Sequence, residues 1–332
     1  MKIIAYNTNT DELPFFEQYA QELNVEYKTT SQSLDESTVH LAEGCDAVTD
    51  FLPDRGYSEE VIRTLSDYGI RFISLRTAGY DGVDLELLKR YNIKMSNVPA
   101  YSPAAVAEFA VTLTLILLRN LHIILPRVKT QDFIRTGMVG KELGKQTVGI
   151  IGTGRIGFET AKIFHGFGAR VIAYDVYQNE AAKEFLEYKN NIDEIYAESD
   201  IISIHIPLLP ENRHIINSES IAKMKDGVYI INTARGGHVD YQALRDALLT
   251  RKVAAAAFDV YEFRDEDIFG KGVEGEIISD PIFRDLSSLP NVVITPHDAY
   301  NTDKAIQNLV KISTENVKEF IETGDSQNNV VK

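Results

Sequence analysis

Residues 146–175 read QTVGIIGTGRIGFETAKIFHGFGARVIAYD. The apolar run 148–151 has the length and composition of a buried strand. Gly152, Gly154 and Gly157 follow it at GxGxxG spacing, a helical pattern begins there, and a second apolar run, 171–174, ends on Asp175. Each part has a physical task in holding a dinucleotide. Gly152 permits a tight turn, Gly154 lets the backbone approach a pyrophosphate, and Gly157 lets helix and strand pack closely. The helix N-terminus offers free N–H groups and a partial positive charge to phosphates. Asp175, eighteen positions after Gly157, suits the hydroxyls of an adenosine ribose and repels a 2′-phosphate, so NAD is expected rather than NADP.

A chain of 332 residues with 44% hydrophobic content has enough apolar surface for two domains of ordinary size. Its formal net charge of −15 argues against a nucleic-acid partner, which calls for clustered Lys and Arg, and against an anionic membrane surface. The single cysteine, Cys45, excludes an intrachain disulfide and reads as a small buried apolar residue. No signal peptide is visible in the short strand-like run 1–6. The most apolar stretch, 104–118, is short for a membrane span and is interrupted by Glu108, Thr112 and Thr114, so a buried helix and a cytoplasmic protein are expected.

The first hundred residues alternate candidate strands (2–6, 46–51, 71–75, 94–96) with candidate helices (14–23, 58–68, 84–91), the pattern of a parallel sheet covered on both faces. A break at residues 99–103 precedes an almost wholly apolar helix at 104–121, with Pro103 suited to its first turn. A second series carries six candidate strands (147–151, 171–174, 201–205, 228–232, 254–258, 292–295), as a doubly wound dinucleotide domain requires. The final helix, 302–323, has no following strand to pack on, which points to a return to the first domain.

Ligands bind at the carboxyl ends of strands in such sheets. Three further segments place polar residues there. In NTARGG, Arg235 has the planar fork that grips a carboxylate in two places, which lysine cannot match. In FDVYE, Asp259 ends an apolar run and reads either as a holder of a polar cofactor group or as a turn residue. In TPHDAY, His297 follows a strand and can exchange a proton with a substrate hydroxyl. The other six histidines show no metal-ligand spacing, and no metal is expected.

Together these segments resemble the D-isomer-specific 2-hydroxyacid dehydrogenases, in particular the D-lactate and D-2-hydroxyisocaproate dehydrogenase branch. The resemblance runs nearly end to end through RTAGYDGVD, NVPAYSP, GTGRIG, NTARGG, FDVYE and ITPHDAY, in that order. It implies an α/β fold with two doubly wound parallel sheets. A Rossmann-type NAD domain, residues 101–298, would be inserted into a flavodoxin-like substrate domain, residues 1–100 plus 299–332, with the active site in the cleft between them. It implies NAD as cofactor, a small 2-oxo or 2-hydroxy acid as substrate, and a homodimer in which the 104–121 helix is hinge and main dimer surface.

The same resemblance assigns roles. Arg235, His297 and Tyr101 would be catalytic, with His297 the proton donor. Thr77, Ala78, Gly79, Tyr80, Tyr101, Arg235, His297 and Tyr300 would meet the substrate. Gly152, Gly154, Arg155, Ile156, Gly157, Asp175, Ile206, Pro207, Asn212, Thr233, Ala234, Arg235 and Asp259 would meet NAD. The expected reaction is reduction of a 2-oxo acid to a D-2-hydroxy acid. Phe51, Leu52, Tyr101 and Tyr300 hint at room for bulky side chains, without identifying the acid.

The chain departs from the family pattern after the FDVYE motif and beside His297. A glutamate normally stands five residues after the aspartate of the FDVYE-type motif and pairs with the histidine; here that position is Arg264. Asp298 and Asn301 are also unusual beside His297. A cation facing His297 disfavours the imidazolium. Three readings follow. Asp265 or Glu262 supplies the carboxylate, Arg264 binds a second acidic group on a larger substrate, or catalysis is weakened and the chain is an NAD-binding regulator of the same fold.

Overall fold

The strands that build the two sheets are short apolar runs, most of them without a polar face, as befits strands covered on both sides. The computed structural model describes the chain apart from residues 52–55, 81, 264, 265 and 268–279 and the side chains of residues 263, 266 and 267. It divides into two compact units, Met1–Ser102 with Asn301–Lys332, and Pro103–Tyr300.

The first unit contains strands β1 (Lys2–Tyr6), β2 (Glu26–Thr29), β3 (Ala47–Asp50), β4 (Phe72–Leu75) and β5 (Lys94–Ser96), and helices α1 (Leu13–Leu23), α2 (Glu59–Asp67) and α3 (Leu85–Arg90). Its sheet has the order β2-β1-β3-β4-β5, all parallel. Strand β2 was not expected: its sequence, EYKT, is mostly solvent-exposed at the sheet edge and carries no apolar run. One face of the sheet buries Ile4, Val48, Ile73 and Met95 against Val61, Ile62 and Leu65 of α2 and Leu87 and Leu88 of α3.

Three charged side chains, Glu12, Asp50 and Arg76, are buried among the described residues of this unit. Arg76 is wholly buried, paired with Glu12 at 2.7 Å and donating to the Tyr6 carbonyl. Asp50, at the carboxyl end of β3, is also wholly buried and accepts hydrogen bonds from Asn7 Nδ2 (2.8 Å) and the Tyr57 hydroxyl (2.9 Å).

The second unit opens with α4 (Pro103–Leu118) and α5 (Leu121–Lys129). Strands β6 (Thr147–Ile151), β7 (Arg170–Tyr174), β8 (Glu187–Tyr188), β9 (Ile201–Ile204), β10 (Val228–Asn232) and β11 (Val253–Phe258) follow, interleaved with α6 (Arg155–Gly166), α7 (Ile192–Glu198), α8 (Ser218–Lys223) and α9 (Tyr241–Leu249). A small antiparallel pair, β12 (Glu262–Phe263) with β13 (Glu266–Asp267), precedes α10 (Pro281–Ser288) and β14 (Val292–Ile294). The main sheet is parallel, in the order β14-β11-β10-β9-β6-β7-β8. It has one strand more than the six expected, because β8 is only two residues long.

Helices α4 and α6 cover one face of this sheet, with Ala110, Leu113 and Leu117 packed among Ala161, Phe164, Ile231 and Ala257. Most apolar residues of α4 are therefore buried within their own unit; exposed apolar side chains begin further on, at Leu121, Leu125, Val128, Phe133, Ile134 and Val139. Among the described residues no single helix is long and apolar enough to cross a membrane. The last helix, α11 (Asp303–Thr323), belongs to the first unit, where it packs on α1, β3 and β4, and Phe320 stacks on Phe72 with ring centroids 4.4 Å apart.

Candidate active site

Strand order in the second sheet reverses between β6 and β9, and loops leaving the two strands in opposite directions open a crevice at their carboxyl ends. The glycine turn follows β6 directly. Gly152 has φ +92°, and a Cβ there would sit 2.6 Å from the His205 carbonyl oxygen. A Cβ on Gly157 would sit 1.9 Å from the Gly152 carbonyl oxygen, so only glycine lets α6 come this close to the turn. At Gly154 a Cβ would meet nothing within 4 Å: the protein leaves that side open. Gly154 is also the N-cap of α6 and gives it no side-chain cap, so the first-turn N–H groups of Arg155, Ile156 and Gly157 are not taken by one. An open turn over free N–H groups at a helix N-terminus suits a dinucleotide pyrophosphate.

Asp175 lies just past β7 and is braced. Its Oδ2 accepts hydrogen bonds from the Thr153 backbone N–H and from the Thr153 hydroxyl (3.1 Å), and its Oδ1 accepts from the Tyr177 N–H (2.9 Å). The Thr153 hydroxyl accepts in turn from the Tyr188 hydroxyl (2.8 Å). The sequence points to Asp175 but not to Tyr188, which sits on a two-residue strand with no apolar run.

Past β9, Ile206 packs on Gly152, and Pro207 offers its carbonyl to Asn212 Nδ2 (2.8 Å). Asn212 Oδ1 accepts from the Leu209 N–H (2.9 Å), so this side chain clips its own loop together. Before them, burial holds the His205 imidazole near pKa 3, far below its ordinary value, and its Nε2 lies 2.8 Å from Ser203 Oγ.

Past β10, the Asn232 side chain shapes the loop carrying Arg235: Oδ1 accepts from the Ala234 N–H (3.0 Å) and Nδ2 donates to the Arg235 carbonyl (2.8 Å). The Thr233 hydroxyl oxygen is buried without a hydrogen-bond partner. An orphaned buried hydroxyl past the carboxyl end of a strand calls for a partner, which a polar ligand would supply. Arg235 is half-buried, and its Nη1 donates to the Ala234 carbonyl (2.8 Å).

Glu262 is one of the two carboxylates that the sequence offers His297, the other being Asp265. The structure pairs Glu262 instead with Arg213, Nη1 to Oε1 at 3.1 Å and Nη2 to Oε2 at 2.8 Å. A Cβ on Gly237 would lie 2.8 Å from the same Oε1, so this bidentate pair rests against the Arg235 loop. Arg264 and Asp265 lie outside the described residues.

His297 follows β14 on a turn, half-buried, with φ +59°, a conformation rare for a side chain with a Cβ. Asp259, past β11, pins that turn. It is wholly buried, Oδ1 accepting from the Thr295 hydroxyl and the Asp298 N–H (2.9 Å) and Oδ2 from the Ala299 N–H (2.8 Å). Burial raises its pKa; those three donors and the His297 charge pull the other way. This bracing of the His297 turn was not legible in the motif, where Asp259 read as a cofactor contact or a turn residue. Tyr300 lies half-buried at the end of the same segment.

In the first unit the substrate candidates also follow strand ends. Past β4, the Thr77 hydroxyl donates to the Gly79 carbonyl (2.7 Å), Asn97 Nδ2 donates to the Ala78 carbonyl (2.6 Å), and Tyr80 packs on the unit's core. Tyr101, past β5, is held through its carbonyl by Asn308 Nδ2 of α11 (2.6 Å). Phe51 is half-buried, while Leu52 lies outside the described residues. Among the described residues no group of three or more His, Cys, Asp or Glu side chains is placed to hold a metal ion.

Residues 111–299 match the family model for the D-isomer specific 2-hydroxyacid dehydrogenase, NAD binding domain. The D-lactate dehydrogenase of Lactiplantibacillus plantarum is 44% identical over 331 residues, covering 99% of each chain. The aromatic 2-oxoacid reductase of Clostridium sporogenes is 42% identical over 329 residues, covering 99% of this chain and 98% of its own. The solved structure of a D-2-hydroxyisocaproate dehydrogenase superposes with a TM-score of 0.92 at 39% identity, with 100% of both chains covered. Motif order, sheet topology, glycine cradle and these relatives agree: the chain belongs to the D-isomer-specific 2-hydroxyacid dehydrogenases and is an NAD-dependent oxidoreductase of that family.

Proposed function

We propose that the chain reduces a 2-oxo acid to the D-2-hydroxy acid, with Arg235, His297 and Tyr101 as its catalytic residues. One observation carries the reading: the carboxyl edge of a single sheet collects the glycine cradle, Asp175, the orphaned Thr233 hydroxyl, Arg235 and His297. Bound at the cradle, NADH supplies the hydride. Gly152 to Gly157 would hold its pyrophosphate, Asp175 its adenosine ribose, and Ile206, Pro207, Asn212, Thr233 and Ala234 would line the remainder of its path, while Asp259, wholly buried, acts through the His297 turn. Arg235 grips the substrate carboxylate through its planar fork and steadies the negative charge that develops on the carbonyl oxygen. His297 donates the proton to that oxygen from a turn that Asp259 keeps fixed. In the first unit, the Thr77, Ala78, Gly79 and Tyr80 loop offers backbone N–H groups to the carboxylate, and Tyr101 and Tyr300 bound the side chain of the acid.

The partner is a second copy of the chain. The exposed apolar side chains from Leu121 to Val139 support that reading better than α4, whose apolar residues are largely used inside their own unit. The acidic net charge and single buried cysteine are consistent with a cytoplasmic enzyme. The alternative of a weakened NAD-binding regulator has no support among the relatives, which carry the names of enzymes.

The test is NADH oxidation with pyruvate, 2-oxoisocaproate, phenylpyruvate, oxaloacetate and 2-oxoglutarate. It also separates small from aromatic substrates, over which the relatives divide. Tight NADH binding with turnover of none of these acids would overturn the reading.

A further inference from the structure

We propose that Tyr188 and Thr153 are positioning residues that aim the Asp175 carboxylate and thereby set the preference for a ribose without a 2′-phosphate. The proposal rests on the reading of Asp175 as the ribose acceptor and concerns what makes that acceptor selective. An ionised carboxylate only accepts hydrogen bonds. The Thr153 hydroxyl, 3.1 Å from Oδ2, therefore donates to it, and its oxygen is left to accept from the Tyr188 hydroxyl at 2.8 Å. The Tyr188 oxygen in turn accepts from the Asn179 backbone N–H at 2.8 Å. A backbone donor at one end and a carboxylate at the other favour one direction for the protons of the chain; the Asn179 carbonyl, at 3.4 Å, is the longer of the two acceptors open to the Tyr188 hydroxyl.

The arrangement is rigid where it needs to be. Thr153 is 2% exposed in the glycine turn, and its backbone N–H donates to the same Oδ2. Tyr188 is on β8, in register with Ala173 of β7, two residues before Asp175. The Tyr177 N–H holds Oδ1 from the other side. Three donors thus fix the carboxylate plane, and the acceptor capacity left over points in one direction. Two ribose hydroxyls can use that direction, whereas a 2′-phosphate meets an anion that has no freedom to turn away. Without the Tyr188 hydroxyl, Thr153 and Asp175 can rotate, so affinity for NADH falls while the penalty on NADPH eases.

The experiment titrates NADH and NADPH into the intact protein and follows the fluorescence of the bound dihydronicotinamide, without relying on turnover. Tyr188→Phe keeps the ring and removes one hydroxyl. The expected result is an NADH affinity lower by about 3–10-fold and a narrowed NADH-to-NADPH ratio. Thr153→Val should do the same more strongly, and Thr153→Ser should retain both values. Circular dichroism confirms that each variant is folded. An equal loss for both cofactors would mark Tyr188 as merely structural and overturn the proposal, as would unchanged affinities. Asp175→Ala separates the two levels of argument. If it leaves the ratio unchanged, the reading of Asp175 fails; if it narrows the ratio and Tyr188→Phe does not, only the proposal fails.

Discussion

Asp50→Asn should make the first unit more resistant to denaturant at neutral pH relative to its resistance in mild acid. Asp50 is wholly buried, and desolvation raises its pKa from 3.8 to about 6, although Asn7, Arg76, Tyr57 and the Phe51 backbone each favour the charged form. The nearby Arg76 does not cancel the cost, because its guanidinium is paired with Glu12 at 2.7 Å. A carboxyl with a raised folded pKa binds its proton more tightly folded than unfolded. Its ionisation therefore weakens the fold as pH climbs from about 4 to above 6, and the shift corresponds to about 3 kcal/mol. Asparagine is nearly isosteric and does not titrate. Its amide can face the Tyr57 oxygen while its carbonyl still accepts from Asn7, and any mismatch adds an offset that does not vary with pH. Urea unfolding of both proteins by circular dichroism between pH 4 and pH 8, read on the transition of the first unit, gives the difference directly. It should move in favour of asparagine by about 3 kcal/mol across that range and level off above pH 7. A difference that stays flat with pH would show that Asp50 titrates like an exposed carboxyl and would refute the argument.

Arg235→Lys should cut kcat/KM for a 2-oxo acid by 100-fold or more, on the order of 3 kcal/mol for loss of a bidentate carboxylate grip, while NADH binding measured by fluorescence stays largely intact. Gly157→Ala and Gly154→Ala should part company in thermal melts. The first forces a Cβ to 1.9 Å from the Gly152 oxygen and should destabilise the second unit by about 1–3 kcal/mol or more, and the second clashes with nothing and should affect only NADH affinity. If position 264 faces His297, as the family resemblance implies, Arg264→Glu should carry the fall-off of the reduction rate to higher pH, because a carboxylate there favours the imidazolium; an unchanged pH–rate profile would mean that Arg264 acts elsewhere.

What the sequence showed and what it hid divide along physical lines. Strands buried on both faces, such as β6 and β10, are legible because an unbroken apolar run has few other uses in so short a segment. Edge strands β2 and β8 have no such run, and with β8 went Tyr188 and its link to Thr153. The site candidates were legible because chemistry-bearing residues fall at strand ends in motif order. Their supports were not. Asp259 holds a turn from 36 to 40 positions away, and Glu262 meets Arg213 across 49. Pairings at that range depend on the finished topology and leave no local pattern. Uniform apolarity in α4 was legible as burial, but it does not say which surface does the burying.

The order of segments in the first unit bears on how the chain is made. Its sheet emerges from the ribosome before residue 103, whereas α11, which covers one face of that sheet, follows about 200 residues later, or about 10–40 s at ordinary rates of synthesis. During that interval Ile3, Val25, Ala47 and Phe72 lack Val317 and Phe320, the residues that shield them in the finished protein. The second unit is continuous in sequence and has no such wait. The segment translated first is thus among the last to close, and until it does its bare sheet face is the part of the nascent chain most in need of a chaperone.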